Sequence, residues 1–183
     1  MNRDLKSQLA YERALYVGHY TSWKQWLLAW FSHDEPYEIY RFIKALRKGE
    51  YYQKKHCTLL AVWYGRKANI QGNKLGYYIS GGCLGKGVRL LHKGPIIINH
   101  RAKIGDGCVF HGGGNCVGNN GTSTACPVLG KNVDVGIGAK IIGDVYIADD
   151  IKIGANAVVT KSFYKHGISI AGVPAREICR GEK

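Results

Sequence analysis

The stretch GKNVDVGIGAKIIGDVYIADDIKIGANAVVTKSF, residues 130–163, decides the fold because its large aliphatic residues recur every six positions. Counted from the residue just before it, this series is Leu129, Val135, Ile141, Ile147, Ile153 and Val159. A second apolar series follows four places after the first five of them: Val133, Ala139, Val145, Ile151 and Ala157. A globular sheet would alternate with period two, so this period predicts short strands joined by corners and wound into a parallel β-helix.

The same period continues upstream in a less regular form. It gives Leu84 and Leu90, slips by two residues at Ile96-Ile97-Ile98, and resumes with Ile104, Phe110 and Cys116. In such a coil each strand contributes one large inward side chain, and a small residue at the corner avoids crowding. One repeat cannot bury its apolar face alone, so we expect stacked coils over residues 75–183.

Residues 1–74 carry a helical pattern instead. Trp23, Trp26, Leu27 and Trp30 are spaced as one apolar stripe, which predicts an amphipathic helix over SWKQWLLAWF. A second helix is predicted over DEPYEIYRFIKALRKG, with Asp34 as its N-cap and Gly49 as its end. We therefore expect an N-terminal helical region followed by a β-helix domain.

The composition restricts the function without fixing it. The 183 residues carry a formal net charge of +13, which favours an anionic partner of some kind. No run of about 18 apolar residues or signal-peptide core is present, so a cytoplasmic location is expected. The 6 cysteines form no C-x-x-C pair, so we expect neither a disulfide framework nor a metal site.

Three segments resemble the hexapeptide-repeat acyltransferases, and among them the serine O-acetyltransferase-like enzymes of capsule and exopolysaccharide biosynthesis. They are LLHKGPIIINHRAKIGDGCVFHGG at 90–113, the repeat stretch at 130–163, and the closing AGVPARE at 171–177. The basic segment YRFIKALRKGEYYQKK at 40–55 is similar to the helix that precedes the repeats in polysaccharide-type members. The resemblance implies a left-handed β-helix, a homotrimer, and acetyl-CoA held between neighbouring subunits, with no metal.

The resemblance also implies residue roles. His92 matches the catalytic histidine, the general base that takes the acceptor's hydroxyl proton in a direct transfer. Second-tier candidates for catalysis or acceptor binding are His111, His100 and Asn99, the histidines being expected in the same cleft. The glycine run that follows His111 either presents backbone N–H groups to the oxyanion or the coenzyme, or simply forms a tight corner. Residues 119–125 interrupt the repeat and are expected to form a loop over the cleft. Candidate coenzyme contacts are Gly136, Lys152, Ala155, Arg176 and Gly113, whereas Ile137 departs from a smaller family residue.

Three other departures bear on the acceptor. Tyr77 and Cys126 stand where serine acetyltransferases carry an aspartate and a second histidine, and Leu91 replaces an acidic neighbour. Because these positions offer no carboxylate to a substrate ammonium group, we expect a sugar hydroxyl of a capsular, exopolysaccharide or O-antigen precursor. The alternatives are a serine O-acetyltransferase of cysteine biosynthesis and a non-catalytic β-helix that binds or scaffolds.

Two further interpretations concern partners. The tryptophan helix and its basic neighbour favour a contact with the inner face of an anionic membrane, although packing against protein explains the stripe equally well. Nucleic-acid binding is disfavoured, because the aromatic residues are scattered and no recognition motif is present. The sequence leaves open which hydroxyl is acetylated and whether acetyl is preferred to longer acyl groups.

Overall fold

The computed structural model describes residues 3–178, which form four helices followed by a parallel β-helix. The helices are α1 (Arg3–Val17), α2 (Trp23–Phe31), α3 (Glu35–Lys54) and α4 (Thr58–Leu75). Helices α3 and α4 pack against each other, α1 packs on α3, and the end of α4 meets the first strand. One hydrophobic core runs from these helices into the coils, so the division at residue 75 stays a prediction.

Two of the helices follow from local sequence signals. Ser22 caps α2, and Gln25 completes a capping box with it. Pro36 lies in the first turn of α3, but the Asp34 side chain accepts a hydrogen bond from the Tyr20 hydroxyl and makes no cap bond. The predicted end at Gly49 is wrong: α3 continues to Lys54 because α4 packs along it, with the Gly65 backbone close to Gly49.

The coils form a left-handed β-helix of triangular section with one parallel sheet on each face. Sheet A has the order β1-β3-β6-β9-β12, sheet B β10-β7-β4, and sheet C β14-β13-β11-β8-β5-β2. The strands of sheet A are β1 (Tyr77–Ile79), β3 (Ile96–Ile98), β6 (Asn115–Gly118), β9 (Lys140–Ile142) and β12 (Val158–Val159). Sheet B contains β4 (Lys103–Ile104), β7 (Val128–Leu129) and β10 (Tyr146–Ile147). Sheet C contains β2 (Arg89–Leu90), β5 (Val109–Phe110), β8 (Asp134–Val135), β11 (Lys152–Ile153), β13 (Ser169–Gly172) and the antiparallel β14 (Ala175–Ile178).

The six-residue series is the inner column of this stack, as expected. Leu90, Phe110, Val135 and Ile153 lie in register on sheet C, and all four are buried. The predicted core position Cys116 is wrong, because Asn115 and Val117 point inward instead. The corner Gly112-Gly113-Gly114 makes this step seven residues long, and a strand reverses its inward positions with every added residue.

A buried ionic cluster joins the helices to the first coil. Arg47 of α3 donates from Nε to Glu12 Oε1 of α1 at 2.9 Å, and from Nη1 to Glu50 at 3.2 Å. The same guanidinium donates to the carbonyl oxygens of Leu84 and Gly85, at 2.8 and 2.5 Å. Burial raises the pKa of Glu12, while Arg47 acts to lower it.

The predicted tryptophan stripe of α2 is divided between interior and surface. Trp26 packs edge-to-face with Tyr20 and Tyr37, and the Arg13 guanidinium stacks over its ring. The outer residues Trp23, Leu27, Leu28, Trp30 and Phe31 are all more than half exposed. Between residues 3 and 178 no helix has the length and apolar character needed to cross a membrane. The five cysteines described there are free thiols, and Cys179 lies outside the described residues.

Candidate active site

His92 lies at the corner between sheets C and A, just after β2. Its side chain is 64% exposed, so the imidazole projects from the coil instead of packing inside it. The backbone around it is fixed on both sides: Leu91 N–H donates to Phe110 O at 2.9 Å, and Tyr77 Oη donates to His92 O at 2.9 Å. A solvent-exposed imidazole at a rigid corner suits general base catalysis, because a substrate hydroxyl can reach it.

A carboxylate from the helical region faces this imidazole. Glu35 Oε2, in the first turn of α3, lies 3.6 Å from His92 Nδ1. Its other oxygen, Oε1, accepts a hydrogen bond of 2.5 Å from the Lys93 backbone N–H. The carboxylate is therefore anchored one residue beyond the histidine and can favour a proton on Nδ1, which leaves Nε2 free to act as base.

Tyr77, which the resemblance aligns with an aspartate of serine acetyltransferases, has a structural role here. Its ring is buried against Phe42, and burial raises the pKa of its hydroxyl. The neutral phenol donates to the His92 carbonyl group, so it supports the corner and leaves the imidazole to Glu35.

His111 lies one coil further, at the same corner. Strand β5 pairs with β2 in register, and His111 follows β5 as His92 comes after β2. His111 Nε2 lies 2.8 Å from Asp134 Oδ1, so a second carboxylate orients this ring. Gly112 follows it, and a Cβ there would stand 3.1 Å from His92 O. The two histidines therefore follow neighbouring strands at one corner, and a cleft shared by their side chains stays a prediction.

In the glycine run after His111, two of the three backbone N–H groups already have acceptors inside the coil and cannot bind a ligand. Gly112 N–H donates to the buried Asn115 Oδ1 at 2.8 Å, and Gly114 N–H donates to Pro95 O at 2.8 Å. Asn115 Nδ2 donates in turn to Gly136 O at 2.8 Å. These two N–H groups are used inside the coil, so the predicted oxyanion or coenzyme contact is left to Gly113.

Asn99 and His100 lie at a different corner from His92. They follow β3, which crosses the full face of sheet A after His92, so within one chain they do not share its cleft. Asn99 Oδ1 accepts a hydrogen bond from Arg101 N–H at 3.0 Å, which is the turn role of an asparagine. The loop 119–125 also belongs to this second corner, because β6 ends at Gly118, beside Asn99. Within one chain these residues therefore lie away from His92, and a cleft shared with it between neighbouring subunits stays a prediction.

The predicted coenzyme residues lie along sheet C, on the coils that follow His92 and His111. Gly113, Gly136 and Ala155 stand at successive corners after β5, β8 and β11. Lys152 points outward on β11, and Arg176 is exposed on β14. Gly113 is exposed, and the Ile137 side chain packs beside it, since a Cβ added to Gly113 would stand 2.4 Å from Ile137 Cγ1. At Gly136 a Cβ would stand 2.6 Å from Ile153 O, so packing alone requires this glycine.

Glu35 is the residue of this site that the sequence did not identify. It lies in the predicted cap region of α3, far along the chain from His92. An acidic residue at that place indicates the start of a helix and gives no sign of a catalytic role. A carboxylate in the first turn is stabilised by the helix dipole, which explains its presence without any function. Asp134, whose carboxylate contacts the His111 ring, lies inside the six-residue repeat, and the repeat pattern alone does not indicate its functional role.

The chain resembles serine acetyltransferases in sequence over about half its length. It is 34% identical over 101 residues to the serine acetyltransferase of Synechococcus elongatus, covering 55% of this chain and 41% of that protein. It is 35% identical over 103 residues to that of Helicobacter pylori, covering 55% of this chain and 58% of the relative. The chain thus spans about half the length of these curated relatives. No family model matches it.

Solved structures of the same class share the fold over nearly the whole chain. The Brucella abortus serine acetyltransferase in complex with coenzyme A superposes with a TM-score of 0.72 at 21% identity, covering 97% of this chain and 68% of that one. The Neisseria gonorrhoeae enzyme in complex with serine gives a TM-score of 0.71 at 18% identity, covering 97% and 70%. The helical region followed by a left-handed β-helix is therefore shared with these proteins.

The comparisons overturn the predicted sugar acceptor. The curated relatives are named serine acetyltransferases, and one solved structure is a complex with serine, which favours the alternative over a polysaccharide precursor. A sugar was expected because positions 77 and 91 carry no carboxylate. The structure shows that Glu35 brings a carboxylate to the same imidazole from a different element.

Proposed function

We propose that the protein is an acetyl-CoA-dependent O-acetyltransferase whose acceptor is serine. The observation that carries the proposal is the exposed His92 imidazole at a rigid corner, with the Glu35 carboxylate 3.6 Å from its Nδ1. The likeness to serine acetyltransferases in sequence and fold supports both the reaction and the acceptor.

The reaction follows from the protonation state that this pair favours. With the proton on Nδ1 held towards Glu35, His92 Nε2 accepts the hydroxyl proton of serine while the oxygen attacks the thioester carbonyl carbon. A C–O bond forms, the C–S bond breaks, and the imidazolium returns its proton to the departing thiolate. Glu35 stabilises the transient positive charge on the ring, and transfer is direct because no nucleophilic side chain is required.

The coenzyme is expected along the sheet C corners. Gly113 and Ala155 present small residues there, and Lys152 and Arg176 offer cations to its phosphates. The substrate ammonium group is expected beside the Glu35 carboxylate, which is 36% exposed next to His92.

Thiol release from acetyl-CoA in the presence of serine tests this function. We expect turnover with serine, and a loss of at least about a hundredfold in His92→Ala because the base is removed. His166→Ala is a matched control, since that histidine is 62% exposed and also faces a carboxylate, Asp149, at 3.8 Å. Absence of serine-dependent thiol release, or full activity in His92→Ala, would contradict the proposal and favour a binding or scaffold role.

Two further expectations belong to the same proposal. A homotrimer is proposed from the resemblance, and sedimentation equilibrium tests it. That α2 rests on an anionic membrane, in a cytoplasmic protein, stays a prediction.

A further inference from the structure

A groove between α3 and α4 is lined by cations and aromatic rings. It encloses about 360 Å³ and is lined by Arg41, Lys44 and Lys48 of α3, by Lys67 of α4, and by Tyr37 and Tyr64. No Asp or Glu lines it. It is separate from the His92 corner, and nothing in the proposed reaction uses it.

The charges in this groove are only partly balanced by the residues around it. Glu38 pairs with Arg41 at 3.0 Å, which leaves the three lysines. Lys48 donates to Tyr64 Oη at 3.3 Å, and Lys67 lies over the Trp63 ring at 3.6 Å. Partial burial lowers the pKa of Lys44, and the nearby charges of Lys48 and Arg13 lower it further. An anion bound between these lysines would relieve their mutual repulsion.

The outer face of α4, beside the groove, joins apolar and basic residues. Leu59, Val62 and Trp63 are 87%, 65% and 48% exposed, and they share a helix face with Arg66 and Lys67. Residues 51–75 contain no Asp or Glu and five basic residues: Lys54, Lys55, Arg66, Lys67 and Lys74. Exposed aliphatic and indole groups next to unopposed cations match the headgroup region of an anionic bilayer.

We propose that the α3–α4 groove binds the phosphate headgroups of an anionic phospholipid surface while Leu59, Val62 and Trp63 enter its interfacial layer. A free phosphate would make no use of the exposed apolar residues. A second copy packed symmetrically on this face would oppose one basic surface with another, which disfavours that occupant. The inference rests on charge and exposure and is independent of acetyl transfer.

Helix α2 packs against Tyr37, one of the residues that line the groove. Tyr37, at one end of the groove, packs with its ring 5.9 Å from the Trp26 ring. The outer side of α2 adds more exposed aromatic area, and Lys24 is the one charged residue among the surface residues there.

Co-sedimentation with vesicles tests the proposal. We expect the full chain to bind vesicles of an equimolar mixture of phosphatidylcholine and phosphatidylglycerol and not vesicles of phosphatidylcholine alone. The variant Lys44→Gln/Lys48→Gln/Lys67→Gln should bind on the order of a hundredfold more weakly, because each lysine near a membrane surface contributes severalfold. The variant Leu59→Gln/Trp63→Gln should also bind more weakly, since it removes the apolar insertion.

A matched control distinguishes binding at the groove from binding through the overall net charge. The variant Lys86→Gln/Lys103→Gln/Lys131→Gln removes the same charge from exposed positions on the β-helix. It should bind vesicles nearly as tightly as the unmodified protein does. Equal loss in both triple variants would overturn the groove as the site. Unchanged binding by Leu59→Gln/Trp63→Gln, with competition by inorganic phosphate, would indicate a free anion as the ligand and overturn the lipid proposal. Conversion of an oligomer to a smaller species by that double variant would assign the face to a second copy instead. Activity with serine is a separate readout, so failure here leaves the proposed reaction untouched.

Discussion

Replacing Arg47 with methionine tests the cluster that fastens the helices to the β-helix. Arg47 is 3% exposed and serves four acceptors, which are Glu12, Glu50 and the carbonyl oxygens of Leu84 and Gly85. Glu50 is 13% exposed and can recover water, whereas Glu12 is fully buried. Arg47→Met therefore leaves one buried charge and two carbonyl groups without their donor.

The expected cost is about 3–5 kcal/mol in the free energy of unfolding, the usual effect of removing one partner of a buried ion pair. For a chain of this size, such a loss lowers Tm by roughly 6–20 °C. Urea unfolding followed by circular dichroism measures it. Arg41→Met is the control on the same helix, because Arg41 is 38% exposed and its pair with Glu38 should contribute less than about 1 kcal/mol.

Two further results check the reasoning. Glu12→Met/Arg47→Met should be more stable than Arg47→Met alone, since it removes the unpaired charge. Burial raises the folded-state pKa of Glu12 above its unfolded value, so this group favours the folded state in acid, and the benefit is lost as pH rises through the folded pKa. The deficit of Arg47→Met should therefore be smaller at mildly acidic pH than at neutrality. A deficit below about 1 kcal/mol, equal to the Arg41→Met control, would refute the role assigned to the cluster.

The remaining predictions concern the site and the coil corners. Glu35→Gln should lower kcat/KM with serine about tenfold, since the pair is partly exposed, without changing KM for acetyl-CoA, whereas Asp149→Asn should leave both unchanged. Asn115→Ala should cost about 1–3 kcal/mol in urea unfolding, because the buried Gly112 N–H loses its acceptor and Gly136 O keeps only the hydrogen bond from Ala139 N–H. Gly105→Ala should cost about 3 kcal/mol, because its Cβ would stand 2.2 Å from Gly130 O, while Gly65→Ala, with open space in a helix, should gain about 0.5–1 kcal/mol.

The β-helix could be predicted because its signal is local and repeated. Val135, Ile141 and Ile147 each occupy the same place in successive faces, so one period fixes many contacts at once. The prediction failed at Cys116, where a glycine corner adds a residue and no flanking repeat corrects the register. His92 was identified from the resemblance of its segment, and the structure shows it exposed at a corner.

What could not be predicted depends on contacts between distant segments. Glu35 meets His92 because α3 packs beside the first coils, and nothing in the sequence near either residue reveals that approach. The acceptor was misassigned for the same reason, since a carboxylate absent from position 77 is supplied from another element. His100 was expected in the cleft of His92 because it lies about one coil onward in the sequence. Within one chain, however, a whole face separates the corners at which the two residues lie.

The two ends of the β-helix are covered by different structural elements. At the first coil, Arg47 and Glu50 of α3 hydrogen-bond the backbone of residues 82, 84 and 85, and at the last coil the antiparallel β14 pairs with β13. An uncovered rung would offer its amides and carbonyls to a foreign strand and so nucleate aggregation. Whole turns can therefore be inserted or deleted in the middle of the β-helix without exposing an unpaired strand. Removal of the covering element at either end of the stack exposes an unpaired strand edge that promotes aggregation.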